Sequence, residues 1–433
     1  MSWTVTETIN AAVKKWRMPW SGKNGRANDA HYSYKPGRFT DLSLYKSIKK
    51  HQTIGRMLSL EDPFFRTQDA HLGTSTRIAG KEYLNFATCD YLGLSQHPVV
   101  VEAAKSALGE YGTCVSASRM VAGELPLHQA LETEIAEFCG VEAALAFVSG
   151  HAANISTIST IVGEDDLIVL DEFVHNSAIV GARLSRATCL NFRHNNLDTL
   201  ERILRESRSA HRNALVVVEG CYSTEGDTPD LQRLIELKER YGAWLMVDDA
   251  HALGVLGARG RGVAEHFGID PAKIDILMGT LSKTLASCGG FIAGQKALIE
   301  VLRYSAPGFV FSVGLPPAMA AAALASLRLM RQEPQRVSRL QSNAALFLDE
   351  AGAAGMDTGT SGGGAIVPIM VGSMRRAARL TQGLFASGIN ASPIIYPGVP
   401  INAARLRFFL TSDHTPEQIQ RTVGVARQEL NRC

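Results

Sequence analysis

Between residues 144 and 278 short apolar runs recur: Ala144 to Val148, Leu167 to Leu170, Ala214 to Val218, Trp244 to Val247, and Ile274 to Met278, the last broken only by Asp275. They lack the regular alternation of a half-solvated strand, which is the pattern of strands covered on both faces. Between two of them Leu231, Leu234 and Ile235 repeat at helical spacing beside Glu236, Lys238 and Glu239. Upstream, Leu131, Ile135 and Phe138 line one helical face, Glu132, Glu134 and Glu137 occupy the others, and Gly140 marks the stop. Strand and helix in alternation predict an α/β fold, with a mostly parallel central sheet, right-handed crossovers and flanking helices.

The pattern changes after an alanine-rich helix that begins at Pro317. Ala365 to Met370, Gly388-Ile389-Asn390 and Leu406 to Leu410 predict a smaller α+β C-terminal domain. At the other end, Pro19, Gly22, Gly25, Pro36 and Gly37 interrupt any long periodicity, although Tyr45 to Leu58 fits a helix, and Tyr83 to Phe86 reads as a strand. The expected division is a basic N-terminal extension over 1–80, a large domain over 81–330 and a small C-terminal domain over 331–433. A chain of 433 residues exceeds one ordinary core, which agrees with two packed units.

Composition narrows the class. Hydrophobic content of 45% with 20% charged residues is that of a soluble globular protein. No apolar run approaches the roughly 20 residues of a membrane span, and no apolar h-region follows the first basic residues, so the expectation is a cytoplasmic enzyme with no membrane span. Seven cysteines, odd in number and without CxxC spacing, argue against a disulfide framework or a structural zinc site, and no metal is expected. The net charge of +2 hides an asymmetry: residues 1–60 hold eleven Lys or Arg against three acids, so this arm is about +8 and the remainder about −6. A solvated arm explains this, as does attraction to an acidic partner such as an acyl carrier protein or the phosphates of coenzyme A. Nucleic acid is not expected, because the basic residues lie in one arm without a binding motif.

The candidate chemistry centres on Gly279-Thr280-Leu281-Ser282-Lys283-Thr284, just beyond the Ile274–Met278 run. A lysine there can be desolvated toward the neutral amine that Schiff-base chemistry needs. Upstream, Ala243 to His251 carries Asp248 at the end of an apolar strand, where an open parallel sheet places its ligands. An amine that forms a Schiff base and a carboxylate that pairs with a pyridinium nitrogen are the two protein groups that pyridoxal 5′-phosphate requires. Ser149, Gly150 and His151 join a strand to a helix, and exposed backbone N–H groups there suit a phosphate. His175 follows another strand end, where it is either a ring-stacking group or a satisfied loop histidine. Glu219, Tyr222 and Ser223 face the same sheet edge, and His251 lies three residues past Asp248. Arg405 and Arg407 share one strand face, and a guanidinium there suits a substrate carboxylate.

Taken together, Asn85-Phe86 through Tyr91-Leu92-Gly93-Leu94, Ser149-Gly150 with Ala152-Ala153-Asn154, Val218-Glu219-Gly220, Val247 to His251, Gly254-Val255 with Gly257, Gly260-Arg261-Gly262 and Gly279 to Lys283 resemble the α-oxoamine synthase family of fold-type I pyridoxal phosphate enzymes. The similarity runs from about residue 80 to 415. The resemblance implies that Lys283 forms the Schiff base, Asp248 holds the ring nitrogen, and His175 stacks on the ring with Ala250 beneath it. It implies that Ser223 and His251 contact the phenolic oxygen, with Glu219 beside them, and that Thr280 and the Ser149–His151 turn hold the phosphate. It further implies a homodimer in which Ser312 reaches the neighbouring subunit's phosphate, and a substrate carboxylate gripped by Arg407.

Cys89 stands where several family members have Asn, and Val313 where a hydroxyl is common. These changes alter the substrate pocket, and a buried cysteine acts mainly as a small hydrophobe. Ser118, before Arg119, favours alanine or serine as the amino acid by the same resemblance. The implied reaction is a decarboxylative Claisen condensation of a small amino acid with an acyl thioester, on CoA or an acyl carrier protein, giving an α-amino ketone, carbon dioxide and free thiol. Aminotransfer or aldol cleavage on the same fold, or an inactive regulatory subunit of a heteromeric synthase, are the alternatives.

Overall fold

The computed structural model describes residues 37–57, 60–396 and 398–433. The expected irregular basic stretch before Gly37 lies outside the described residues. Chain contacts divide the protein into two units, residues 1–62 and 63–433. In the first, a short turn over Phe39–Asp41 precedes a helix over Ser43–Met57, in which no residue is buried. This helix carries Lys46, Lys49, Lys50 and Arg56 and no acid.

In the second unit the strands are β1 Ala70–Leu72, β2 Ser75–Ile78, β3 Lys81–Asn85, β4 Ala143–Phe147, β5 Leu167–Asp171, β6 Thr188–Phe192, β7 Ala214–Glu219, β8 Trp244–Asp248, β9 Ile276–Thr280, β10 Gly290–Gly294, β11 Ile366–Gly372, β12 Ile389–Asn390, β13 Ser392–Ile394 and β14 Ala404–Phe409. The main sheet has the order β4-β10-β9-β8-β7-β5-β6. Its β6/β5/β7/β8/β9 pairs are parallel, and β10 runs antiparallel to both β4 and β9. The α/β fold with a mostly parallel sheet is thus observed, with one reversed strand the sequence did not signal.

The uninterrupted apolar runs have a simple cause. Alternate residues enter two separate cores, one on each face of the sheet. Leu145, Phe147, Ile168, Leu170, Leu215, Val217 and Met246 join one, and Ala144, Ala146, Leu167, Val169, Val216, Val218 and Leu245 the other. Helices Gly150–Ile161, Asn176–Ser185 and Lys296–Ser305 supply the first core through Ala153, Ile158, Ala178, Ala182, Ile299 and Leu302. The second is closed by Pro126–Cys139, Leu231–Tyr241 and the alanine-rich Pro317–Gln332. The first of these helices ends, as its sequence requires, at Gly140, whose left-handed φ of 72° is cheap only for glycine.

Two smaller sheets complete the unit: β1-β2-β3-β12 and the antiparallel β11-β14-β13. Because β3 pairs in parallel with β12, the expected boundary at residue 80 falls inside a sheet, and the boundary at 330 falls within the Pro317–Gln332 helix. The chain leaving β3 is laid between two later segments: Phe86 N–H donates to the Asn390 carbonyl at 2.8 Å, and Phe409 N–H donates to the Phe86 carbonyl at 2.9 Å. This path carries Cys89 and Tyr91 to the carboxyl edge of the main sheet, where β4, β5, β7, β8 and β9 also end.

Candidate active site

Asp248 is the last residue of β8, is buried, and sits in register with Glu219 on β7 and Met278 on β9. Its Oδ2 accepts a hydrogen bond from Asn154 Nδ2 at 2.8 Å, and its Oδ1 accepts from the Ala250 N–H at 3.0 Å. The same Asn154 amide donates to Ser177 Oγ at 2.9 Å, and that hydroxyl donates to His175 Nδ1 at 2.7 Å. His175 Nδ1 also accepts the Ser177 N–H at 3.3 Å, capping the helix Asn176–Ser185. A ring nitrogen that accepts twice carries no proton, so His175 is a neutral imidazole with its proton on Nε2. Desolvation by the surrounding protein holds it below the ordinary histidine range, against the opposing pull of Asp248.

Lys283 follows β9 in a half-buried loop. Desolvation pushes its amine below the usual lysine range, while Asp248, Cys89 and Glu219 pull the other way. Thr280, buried at the end of β9, shares a 2.8 Å hydrogen bond with Ser282 and donates to the Gly289 carbonyl at 3.1 Å. Opposite it, Ser149 caps the helix Gly150–Ile161 by accepting the Ala152 N–H at 3.0 Å. A side chain at Gly150 would come within 2.9 Å of Met278 Cε and 3.2 Å of Thr280 Oγ1, so this helix starts in close contact with the end of β9. The first-turn N–H groups of Gly150 and His151 have no acceptor within the helix.

The third wall comes from β7 and β14. Glu219 is buried and accepts the Ser223 N–H at 3.0 Å; burial, then the adjacent Asp248, raises its carboxyl well above the carboxylate range. Arg407 Nη1 donates to the Ser223 carbonyl at 2.6 Å, and its guanidinium lies 4.3 Å from the centre of the Phe409 ring. Arg405 differs although it shares that strand face: it forms a buried ion pair with Glu225. Among the described residues no ion pair engages Arg407, so the structure separates two arginines that alternation alone leaves equivalent. His251 is buried, takes a 2.6 Å hydrogen bond with the Tyr91 hydroxyl, and stacks on Phe409 at 6.3 Å and 10°. Burial, reinforced by Lys283 and Arg407, keeps it well below the ordinary histidine range, and therefore neutral. Cys89 feels Lys283 and Arg407, but burial dominates and raises its thiol, which argues for a neutral pocket wall and against a thiolate nucleophile.

The structure therefore gathers Lys283, Asp248, His175, His251, Glu219, Ser223, Thr280, the Ser149–His151 turn, Ala250, Arg407 and Cys89 at one sheet edge. Ser118 and Ser312 make no hydrogen bond to this set among the described residues. Ser118 instead presents its carbonyl to the Val121, Ala122 and Gly123 amides. Ser312 lies between exposed Phe311 (73%) and exposed Val313 (43%). Asn154, Ser177 and Tyr91 connect the site; Asn154 and Tyr91 stand in the motifs that carry the resemblance, but no function is assigned there to any of the three. All seven cysteines are unpaired, and among the described residues no cluster could hold a metal. A groove of about 760 Å³ between the Pro126–Cys139 and Lys296–Ser305 helices contains none of these residues.

The donor set fits pyridoxal 5′-phosphate. Asn154 Oδ1, Glu219 Oε1 and Arg407 Nε are buried polar atoms without a hydrogen-bond partner, which a site closed on itself would not leave. A desolvated amine stands ready for the aldehyde, a carboxylate for the ring nitrogen, and a bare helix N-terminus beside two hydroxyls for the phosphate.

Comparison with known proteins agrees with this site. Residues 81–425 match the aminotransferase class I and II family. An 8-amino-7-oxononanoate synthase of Thermoanaerobacter pseudethanolicus is 37% identical over 374 residues, covering 86% of this chain and 92% of the relative. A serine palmitoyltransferase of Sphingomonas wittichii superposes with a TM-score of 0.86 at 31% identity, over 91% of this chain and 98% of that one. Another serine palmitoyltransferase structure, which contains pyridoxal phosphate, gives the same TM-score at 29% identity, over 91% of this chain and 98% of that one. The chain belongs to the aminotransferase class I and II family, in its α-oxoamine synthase branch.

Proposed function

We propose that this protein condenses a small α-amino acid with an acyl thioester, releasing carbon dioxide and free thiol and leaving an α-amino ketone. The observation that carries this reading is the placement of a desolvated lysine, a buried strand-end carboxylate and a guanidinium free of carboxylates at one sheet edge. Pyridoxal phosphate, when bound, withdraws electrons from the amino acid's α-carbon and so makes it a carbon nucleophile. The chain supplies the rest. Lys283 would anchor the aldehyde and then, as a neutral amine, take up the α-proton. Asp248, oriented by Asn154, would hold the ring nitrogen in its protonated form. Neutral His175 would stack on the ring, with Ala250 beneath it. Ser223 and His251 would contact the phenolic oxygen, with Glu219 beside them, and Thr280 with Ser149, Gly150 and His151 would hold the phosphate. Arg407 grips the substrate carboxylate, and Cys89 narrows and depolarises the pocket wall.

Arg407→Ala is expected to raise KM for the amino acid about a hundredfold, the order of a lost charge-assisted contact. Arg405→Ala, which strands Glu225, should instead lower stability by about 3 kcal/mol. Steady-state kinetics and urea unfolding separate the two. Equal effects on KM would contradict the distinction.

The active form in this reading is a homodimer, with Ser312 delivered to the second copy's phosphate; the exposed Phe311 and Val313 on either side of it support a surface meant to be covered. Ser118 is placed beside the amino acid by the same assembly. The acyl donor arrives on CoA or on an acyl carrier protein, and the arm's charge of about +8 favours an acidic carrier. A matrix of amino acids against acyl-CoA and acyl-carrier donors, read by mass spectrometry, tests the reading: α-amino ketones support it, and keto acids or aldehydes alone overturn it. Deleting residues 1–60 is expected to slow the carrier-bound donor about tenfold and spare the CoA donor. Equal rates with both donors before and after deletion would remove the arm from the account.

A further inference from the structure

A second charged cluster lies beside the site and takes no part in the proposed chemistry. His194 follows β6, and each of its ring nitrogens faces a carboxylate: Nδ1 donates to Asp171 Oδ1 at 3.1 Å, and Nε2 donates to Asp227 Oδ2 at 3.0 Å. Two donating nitrogens make the ring an imidazolium. Its faces are occupied as well, with Phe173 stacked at 4.5 Å and Tyr222 perpendicular at 4.4 Å.

Each carboxylate is built into a loop that ends in the active site. Asp171 closes β5 and accepts the Phe173 N–H at 2.8 Å through Oδ1 and the Asn195 N–H at 2.8 Å through Oδ2, which fixes the turn leading to His175. Glu172 Oε1 accepts the His194 N–H at 2.9 Å on the same turn. Asp227 closes the loop after β7: its carbonyl accepts the Tyr222 N–H at 2.9 Å, and its Oδ2 also takes the Thr360 hydroxyl at 2.8 Å, from the segment before β11. Ser223, whose carbonyl holds Arg407, is the residue after Tyr222.

We propose that His194 is a positioning residue that clamps the loop bearing His175 to the loop bearing Ser223, and so sets the distance between the cofactor's stacking face and the carboxylate-binding Arg407. The proposal rests on the reading of those residues given above. It follows that the clamp is a charge device. The ionisable groups facing His194 are Asp171 and Glu172 from the β5 turn and Asp227 and Tyr222 from the β7 loop. Direct hydrogen bonds to Asp171 and Asp227 overcome burial and raise the imidazole from 6.5 to about 10. A raised value means stability that is fully present below pH 6.5 and is lost as pH rises toward about 10.

The test uses full-length holoenzyme with His194→Gln, Asp227→Asn and His194→Arg. The first two remove the cation or one of its acceptors; both are expected to keep the cofactor's absorbance and to raise KM for the amino acid about tenfold with a smaller change in kcat. Both should also flatten the decline in Tm that the parent shows between pH 6.5 and about 10. His194→Arg keeps a cation between the carboxylates and should recover most of KM. If His194→Gln does not fold, Asp227→Asn decides. A Tm loss without a KM change, or an unaltered pH profile of Tm, overturns the proposal. Failure of the condensation reading would look different: no amino acid would turn over even in the parent, while cofactor absorbance and the pH profile of Tm would still report on the clamp.

Discussion

Lys283→Ala is expected to lower turnover by at least about a thousandfold, equivalent to about 4 kcal/mol of barrier. It should also remove the visible absorbance that comes from joining the cofactor to the protein. Lys283 is asked to do two things no neighbour can replace. It offers a desolvated amine within the field of Asp248 and Glu219, and it is the group that burial brings toward the neutral form. The other ionisable groups around it are unsuited to moving the α-proton: His175 has its Nδ1 occupied by Ser177, His251 is tied to Tyr91, and Glu219 is engaged by the Ser223 N–H. The alanine variant should still bind cofactor, because the Thr280 and Ser149–His151 contacts and the Asp248 carboxylate remain. A purified variant that kept both the band and the turnover would contradict the assignment.

The second large effect belongs to Asp248→Asn. The amide has the same shape, and its single oxygen can still accept from Asn154 while the hydrogen bond from the Ala250 N–H is lost, so the fold should be kept at a small cost in stability. It cannot hold a proton on the ring nitrogen, and the expected result is a fall in kcat of about a hundredfold or more at little change in cofactor content. Absorbance of the bound cofactor measures the content, and single-turnover kinetics measure the chemical step. Near-normal kcat would mean that the ring nitrogen is not the partner of this carboxylate. Asn154→Leu should move in the same direction by less, because it removes an orienting amide and leaves the charge.

Much of this site is legible in the sequence for a physical reason. Asp248, Glu219, Lys283 and His175 each follow an apolar run, and a parallel sheet collects the ends of such runs at one edge. What the pattern does not carry is pairing across long separations. The Asn154–Asp248 contact spans 94 residues, Tyr91–His251 spans 160, and His194–Asp227 spans 33, and none leaves a periodic trace. Two strands of the main sheet are hidden as well. β6 is an edge strand that is mostly exposed except at Phe192, so it lacks an apolar run, and β10 offers only the three apolar residues Phe291 to Ala293 between Gly290 and Gly294. Gly290 is required because a side chain there would come within 2.4 Å of Gly150 Cα, which is the contact that seats the helix beside β9. Arg405 and Arg407 show the reverse case: their spacing is plain and the family resemblance points to Arg407, and the ion pair of Arg405 to Glu225 supplies the physical reason that Arg407 is the one left for a ligand.

The account as a whole is tested most directly by following carbon and sulfur together in one reaction mixture. An amino acid labelled with ¹³C at its carboxyl is incubated with an acyl thioester and the holoenzyme, and labelled carbon dioxide and free thiol are measured against time. The prediction is that both appear at equal rates with one α-amino ketone per thiol released. Label retained in a keto acid, with the thioester intact, would contradict it.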